Sequence, residues 1–372
     1  MEAVLQWAAV IRDPQKLWFE DVSRRIGFSD ADDFAQAFEL KPFRLKQIYR
    51  AAAKELLEGP NDVTTLPKEL RTSFIERGLA FSSVVPLVLQ TSGDGQTTKG
   101  LFKLRDGNEV EAVLMEHYGD RTTVCISSQA GCAFACAFCS TGQAGFTRNL
   151  DSTEIFDQAR FFARELAARG KKITNIVFMG MGEPFHNYDA VMGAVALLND
   201  PHGLGLGHRH ITISTVGLVD KIDRFADEGV QVNLAISLHA PSDRVRNSIM
   251  PVNRKFDTAE LIAACERYVE KTNRKVFFEY VMLAGVNDTD ECAQELAGLM
   301  RGRLYHVNLI PYNSTPDGAF AGSEEDRIWK FAGILDAAGV PTTVRRNMGR
   351  DIAAACGQLR AETQPKAHKA VI

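Results

Sequence analysis

Three cysteines, Cys132, Cys136 and Cys139, lie inside the stretch Gly131-Cys-Ala-Phe-Ala-Cys-Ala-Phe-Cys-Ser140. The CX3CX2C spacing puts three soft thiolates on one tight loop, and the loop offers no fourth. Four thiolates complete a structural zinc site or an ordinary electron-transfer cluster. Three leave one iron of a four-iron cluster open to a non-protein ligand, and an open metal site is where chemistry happens. Two blander readings stand beside this one: a zinc site completed by a distant ligand, or three small buried apolar side chains. Phe134 and Phe138 would shield a cluster from water, and Ser140-Thr-Gly142 would supply polar groups around it.

Other candidates follow at intervals. In Val177-Phe-Met-Gly-Met-Gly-Glu-Pro184, glycines at a strand end let a ligand approach the backbone, and Glu183 can accept from an ammonium group. Ser214-Thr215 and Ser237-Leu-His239 end two further strands with groups that can hold ribose or carboxylate. Cys125 and Cys356 stand outside the triplet, one just before it and one near the C-terminus. Cys265 and Cys292 fall in helix interiors and read as packing.

The elements that must position these residues alternate. Residues 1 to about 90 read as helical, with Pro67-Lys-Glu-Leu-Arg71 as a helix start. Lys99–Leu104 and Val110–Glu116 alternate as a hairpin around Asp106-Gly107-Asn108. Strand-like runs then occur at Thr122–Ser127, Ile173–Met179, Ile211–Thr215, Val232–Ser237, Val276–Met282 and Tyr305–Pro311. Helix-like stretches (Ser152–Arg169, Tyr188–Leu198, Leu218–Asp227, Thr258–Thr272, Asp290–Arg301, Glu324–Ala338) separate them, and a short strand at Thr342–Arg345 closes the series. Strand-then-helix repetition predicts a parallel sheet whose ligands gather at the C-terminal strand ends. The expected division is a helical domain over 1–95, a β-hairpin extension over 96–120, a barrel over 121–360 and a tail over 361–372.

At 372 residues, 45% hydrophobic and 24% charged, the chain suits a soluble α/β protein with a large core. No apolar run of bilayer length and no leader pattern are evident, so a cytoplasmic location is expected. Seven cysteines are too few for a disulfide scaffold and fit a reducing compartment. A net charge of −4 argues against a generally basic coat but leaves room for local basic patches. Candidates are Lys41, Arg44, Lys46 and Arg50; His208, Arg209 and His210; Arg254 and Lys255; and Arg345, Arg346 and Arg350.

Taken together these motifs resemble the radical S-adenosylmethionine superfamily and, more closely, its adenine-C2 RNA methyltransferase family. The resemblance rests on Glu109-Val-Glu111-Ala112, Cys125-Ile-Ser-Ser-Gln-Ala-Gly-Cys132, Phe178-Met-Gly-Met-Gly-Glu-Pro184, Ile236-Ser-Leu-His-Ala-Pro241, Glu279-Tyr-Val-Met-Leu283, Asn308-Leu-Ile-Pro-Tyr-Asn313 and Ala355-Cys-Gly-Gln-Leu359. It implies a partial (β/α)6 barrel with a small helical N-terminal domain that binds RNA through residues such as Lys41, Arg44, Lys46 and Arg50. It implies a [4Fe-4S] cluster on Cys132, Cys136 and Cys139, and S-adenosylmethionine held by Gly182, Glu183, Ser214, Ser237, Leu238, His239 and Asn313. Cys356 would carry a methyl group, Cys125 would resolve the covalent RNA intermediate through a transient disulfide, and Glu111 would act as base. The implied substrates are 23S rRNA and an adenine beside the tRNA anticodon, with flavodoxin as an electron donor and a monomeric enzyme. A sibling family that methylates adenine C8 shares the cluster and both cysteines. It has Ala after Gly-Glu and Arg before Tyr-Asn, where this chain has Pro184 and Pro311. A non-catalytic iron–sulfur or zinc protein that binds RNA is the reading from a different class.

Overall fold

A computed structural model describes residues 13–314 and 320–359. The proposed tail, 361–372, lies outside them. Four helices lead the described chain: α1 (Pro14–Arg25), α2 (Ala31–Ala37), α3 (Pro42–Ala53) and α4 (Lys68–Glu76). Their apolar faces meet in an aromatic cluster in which Trp18, Phe19, Phe34, Phe74 and Phe81 are all buried. The helical unit is fastened to the barrel by polar ties through an apolar interface. Arg160 donates from Nε to the Ala52 carbonyl at 2.6 Å and also bonds the Leu57 carbonyl, and the Tyr49 hydroxyl donates to Asp200 at 2.7 Å.

A single ten-stranded sheet follows, in the order β1-β2-β3-β4-β7-β8-β9-β10-β11-β12. Its first part is an antiparallel meander: β1 (Val85–Thr91), β2 (Thr97–Lys103) and β3 (Glu109–Glu116), the last antiparallel to β4 (Thr122–Cys125). The expected boundary near residue 95 therefore falls inside the β1–β2 turn, and the extension has three strands rather than two. β1 escapes a reading by alternation because it is an edge strand with every residue exposed and a proline, Pro86, at its second position.

From β4 onward the sheet is parallel: β7 (Asn175–Phe178), β8 (Ile211–Thr215), β9 (Asn233–Ser237), β10 (Val276–Met282), β11 (Tyr305–Pro311) and β12 (Thr342–Val344). The connecting helices are α6 (Ser152–Ala167), α7 (Tyr188–Asn199), α8 (Val219–Asp227), α9 (Asp243–Ile249), α10 (Thr258–Thr272), α11 (Asp290–Met300) and α12 (Glu325–Ala337). Residues 126–151 contain a further short helix, α5 (Ser140–Ala144), and a two-stranded ribbon of β5 (Gln129–Gly131) and β6 (Phe146–Asn149). Central strands are buried on both faces, which is why their sequences run apolar instead of alternating. α6 and α10 open with reciprocal capping boxes, Asp151 with Glu154 and Asp257 with Glu260, which fix where each helix begins. The result is an open, partial barrel of α/β type. All six βα units aim their strand C-termini at one rim.

Candidate active site

The cysteine loop is shaped by its own backbone. Gly131 adopts φ +77, and a Cβ there would lie 2.0 Å from the Gly145 carbonyl oxygen, so the ribbon closes only with glycine. That same carbonyl accepts from the Cys132 N–H at 2.7 Å. The Ala137 N–H is held by the Ile249 carbonyl at 2.9 Å, and Phe138 packs edge-on against His239 with centroids 4.8 Å apart. Burial pushes the Cys132 thiol up to about 12 and the Cys136 thiol well above its ordinary value, and the neighbouring thiols and Glu183 add to both shifts. Thiols raised in this way, as Cys132 and Cys136 are, ionise readily only against a cation, which is what a cluster provides. Among the described residues no three Cys, His, Asp or Glu side chains meet at a point one metal ion could share. A cluster asks less, taking one thiolate at each of three separate iron corners.

The strand ends form the rim around this loop. Gly182, at φ +98, packs so closely on Gln129 that a Cβ would come within 2.5 Å of that side chain. Glu183 is buried, and its carboxylate accepts from the Phe185 N–H at 2.9 Å and the Val216 N–H at 2.8 Å, bracing the end of β7 against β8. Burial raises its pKa to about 7 despite those bonds. Ser214 and Ser237 sit side by side with hydroxyls 3.4 Å apart. Leu238 is fully buried, and its carbonyl accepts from Arg246 at 3.1 Å. His239 takes the left-handed conformation (φ 58), and its Nδ1 accepts from the Val281 N–H at 3.0 Å, leaving Nε2 to carry the proton. Burial, with Arg246 nearby, drops its pKa to about 3, so the ring is neutral. Asn313 is 2% exposed and its Oδ1 has no hydrogen-bond partner among the described residues. An orphaned acceptor at the end of β11 fits a ligand that brings its own donor.

The two outlying cysteines lie within electrostatic range of one another. Cys125 ends β4, and its thiol is pushed up to about 12 by burial and then by the neighbouring Cys356. Cys356 is exposed to solvent, while the protein around it raises its thiol pKa, as at the mouth of a cleft. Its segment is tied to the cysteine loop: the Ser140 N–H bonds the Gly357 carbonyl at 2.8 Å and the Thr141 hydroxyl bonds the Leu359 carbonyl at 2.6 Å. Glu111, 4% exposed on β3, pairs with Lys99 on β2 at 2.9 Å, and Lys99 also reaches the Ala353 carbonyl at 3.4 Å.

Three features escaped the sequence reading. Lys99 looked like an alternating surface residue of a hairpin. Arg246 is fully buried and donates to the carbonyls of Val216 (2.7 Å) and Leu238 (3.1 Å), stitching two strand ends. Arg345, read as part of a surface basic patch, turns inward to Glu279 at 3.1 Å because β12 packs beside β11. No local signal marks either arginine; only long-range pairing identifies them.

Comparison with known proteins agrees with this geometry. The profile described as the Radical SAM superfamily matches residues 126–297. A Chloroflexus aurantiacus protein named "Probable dual-specificity RNA methyltransferase RlmN" is 47% identical over 342 residues, covering 89% of this chain and 90% of the relative. This chain belongs to the RlmN-type radical SAM RNA methyltransferases. A Nitrosopumilus maritimus relative named "Ribosomal RNA large subunit methyltransferase N" is 44% identical, covering 86% of this chain and 93% of its own length. The crystal structure of a radical SAM methyltransferase from Sphaerobacter thermophilus superposes with a TM-score of 0.86 at 48% identity, covering 90% of this chain and 97% of that one. The architecture described above is thus shared with that solved methyltransferase. No helix among the described residues is long and apolar enough to cross a membrane.

Proposed function

We propose that this enzyme methylates C2 of an adenine in 23S rRNA, and of an adenine beside the anticodon in tRNA, by way of a methyl group carried on Cys356. The observation that carries the reading is the Cys125–Cys356 neighbourhood. A methyltransferase that hands methyl directly to RNA has no use for two neighbouring thiols beside a separate cysteine triplet. The names of the relatives, which specify dual-specificity and large-subunit RNA methylation, support the substrate class.

A [4Fe-4S] cluster on Cys132, Cys136 and Cys139, with S-adenosylmethionine at its open iron, would supply the one-electron chemistry that unactivated C2 needs. The protein's part is placement. Gly182 lets the end of β7 pack against Gln129 and so sets the backbone that would meet the ligand, Glu183 braces that strand end, and the Ser214 and Ser237 hydroxyls offer exchangeable donors. The backbone at Leu238, the Nε2–H of His239 and the free Oδ1 of Asn313 complete the set. Cys356, open to the cleft, is the accessible thiol on which a methyl group can be loaded. Glu111 stands ready to take the C2 proton, held in place by Lys99. Cys125 then attacks the Cys356 sulfur: the S–S bond forms, the S–C bond to the product breaks, and the released pair on carbon takes up a proton to complete the methyl group. An external dithiol reduces the disulfide for the next round.

Exposed Lys41, Lys46 and Arg50 on or beside α3 suit phosphate contact, as in an accessory RNA-binding domain. An electron donor such as flavodoxin, a cytoplasmic setting and a monomeric state complete the reading. The test is anaerobic turnover of reconstituted protein with reductant, S-adenosylmethionine and a 23S rRNA fragment, read by nucleoside mass spectrometry. 2-Methyladenosine is expected; 8-methyladenosine instead would transfer the enzyme to the C8 branch.

A further inference from the structure

The thiol assigned to attack is poorly placed to ionise by itself. Cys125 lies among core side chains at the end of β4. A thiol is a nucleophile only as its thiolate, and a thiolate in such surroundings needs a charge nearby. Cys125 is in electrostatic range of the Cys356 thiol and, more weakly, of the Arg345 guanidinium, and its sulfur accepts from the Met179 N–H.

Arg345 is held on three sides. Its own N–H bonds the Leu309 carbonyl at 2.8 Å as β12 runs beside β11. Its Nη1 donates to Glu279 Oε2 at 3.1 Å, and the other carboxylate oxygen of Glu279 accepts from Asn308 at 2.9 Å. Nη1 also lies 3.7 Å from the Met179 sulfur, and it is the Met179 backbone N–H that reaches the Cys125 sulfur. One residue at the end of β7 thus touches the arginine with its side chain and the thiol with its backbone. Arg345 is one-third exposed while Glu279 is 3% exposed, so the guanidinium is the solvent-reached member of the pair. The titratable groups around it are Glu279 on β10, Cys125 on β4, Cys356 in the C-terminal segment and His117 after β3. Glu279 and the two thiols hold Arg345 charged, Glu279 most strongly.

We propose that Arg345, aimed by Glu279 and Asn308, is the cation that stabilises the Cys125 thiolate, a positioning residue acting through Cys125 in the resolving step. The Cys125 proton leaves to solvent through the cleft, and the guanidinium meets the charge left on sulfur. Glu279 moderates that charge and fixes its direction. This assignment rests on Cys125 as the resolving thiol, but its chemistry can be read without RNA.

The experiment labels cluster-loaded enzyme anaerobically with methyl methanethiosulfonate from pH 6 to pH 10 and follows the Cys125 peptide by mass spectrometry. Arg345→Gln is expected to move the rise in labelling rate up by about one pH unit, about a tenfold slowing near pH 7.5. Arg345→Lys should fall between, and Glu279→Gln should shift the profile the opposite way, because the arginine loses its counter-charge. Labelling of Cys265, inside α10, serves as the fold control and should not move. In turnover, Arg345→Gln should accumulate the covalent RNA–protein adduct and release it when the pH is raised. A wild-type labelling profile in Arg345→Gln overturns the proposal. Should that variant fail to fold, slower or unchanged labelling in Glu279→Gln overturns it equally. Absence of any RNA product with shifted labelling profiles would refute the methylation reading and leave the role of Arg345 standing.

Discussion

Two groups of cysteines in this molecule are built by opposite means. Cys132, Cys136 and Cys139 are placed by eight consecutive residues, a glycine that allows the ribbon to close, and local N–H to carbonyl bonds. Cys125 and Cys356 are 231 positions apart in the chain and meet only because the sheet brings the end of β4 and the C-terminal segment to one cleft. The local group has Cys136 buried and Cys132 and Cys139 half-buried. The distant pair has one buried thiol and one that solvent reaches. Ligands to a resident group are best held rigidly. Thiols that must exchange partners need access and a path for protons, and an exposed Cys356 beside a buried Cys125 offers both.

Breaking the distant pair should have the largest effect. Cys125→Ala is expected to stall the enzyme as a covalent RNA–protein species, seen as a shifted band that survives denaturing electrophoresis; free product at the wild-type rate would remove Cys125 from the mechanism. A milder cut is available where the two groups are tied. Thr141→Val removes the hydroxyl that docks Leu359. Loss of a buried hydrogen bond of this kind costs about 1–2 kcal/mol, so methyl transfer should fall roughly tenfold while cofactor cleavage, which does not need Cys356, stays near wild type. Equal loss of both activities would show that the tie serves the loop and not the thiol.

The rim between the groups can be probed by acid. The folded protein holds His239 neutral down to about pH 3, whereas an unfolded histidine takes a proton near pH 6.5. Between those values the unfolded state binds the extra proton, so stability is greatest above pH 6.5 and declines as pH falls, by up to about 1.4 kcal/mol per pH unit from this residue. His239→Asn, which tolerates the left-handed backbone, should flatten that slope in denaturant titrations at pH 4, 5, 6 and 7. The smallest effect belongs far from both groups. Asp257→Ala, at the α10 cap, should lower stability by about 1 kcal/mol and leave methylation per folded molecule unchanged.

The same contrast governs what could be read from the chain. Strands β8, β10 and β11 and helix α10 have the bounds their residue patterns suggest, because a buried parallel strand and a capped amphipathic helix are each written in a handful of neighbouring residues. The cysteine loop is legible for the same reason. β1 was not, since an exposed edge strand has no apolar alternation to show, and β5 and β6 are too short for any period. Arg246 and Arg345 are invisible for a further reason. Arg246 takes one of its carbonyl partners, Val216, from the end of β8, and Arg345 takes its carboxylate partner, Glu279, from β10, so the pairings come from the fold rather than from adjacent residues.

Arg160 has a consequence of its own. By filling the Ala52 and Leu57 carbonyls from the barrel side, its guanidinium turns the junction between the helices and the barrel into a weld rather than a hinge. Whatever the helical unit grips is then presented to the barrel mouth at one distance and one angle. On the proposed reading, an RNA held by the helical unit would be selected by reach, as a caliper selects.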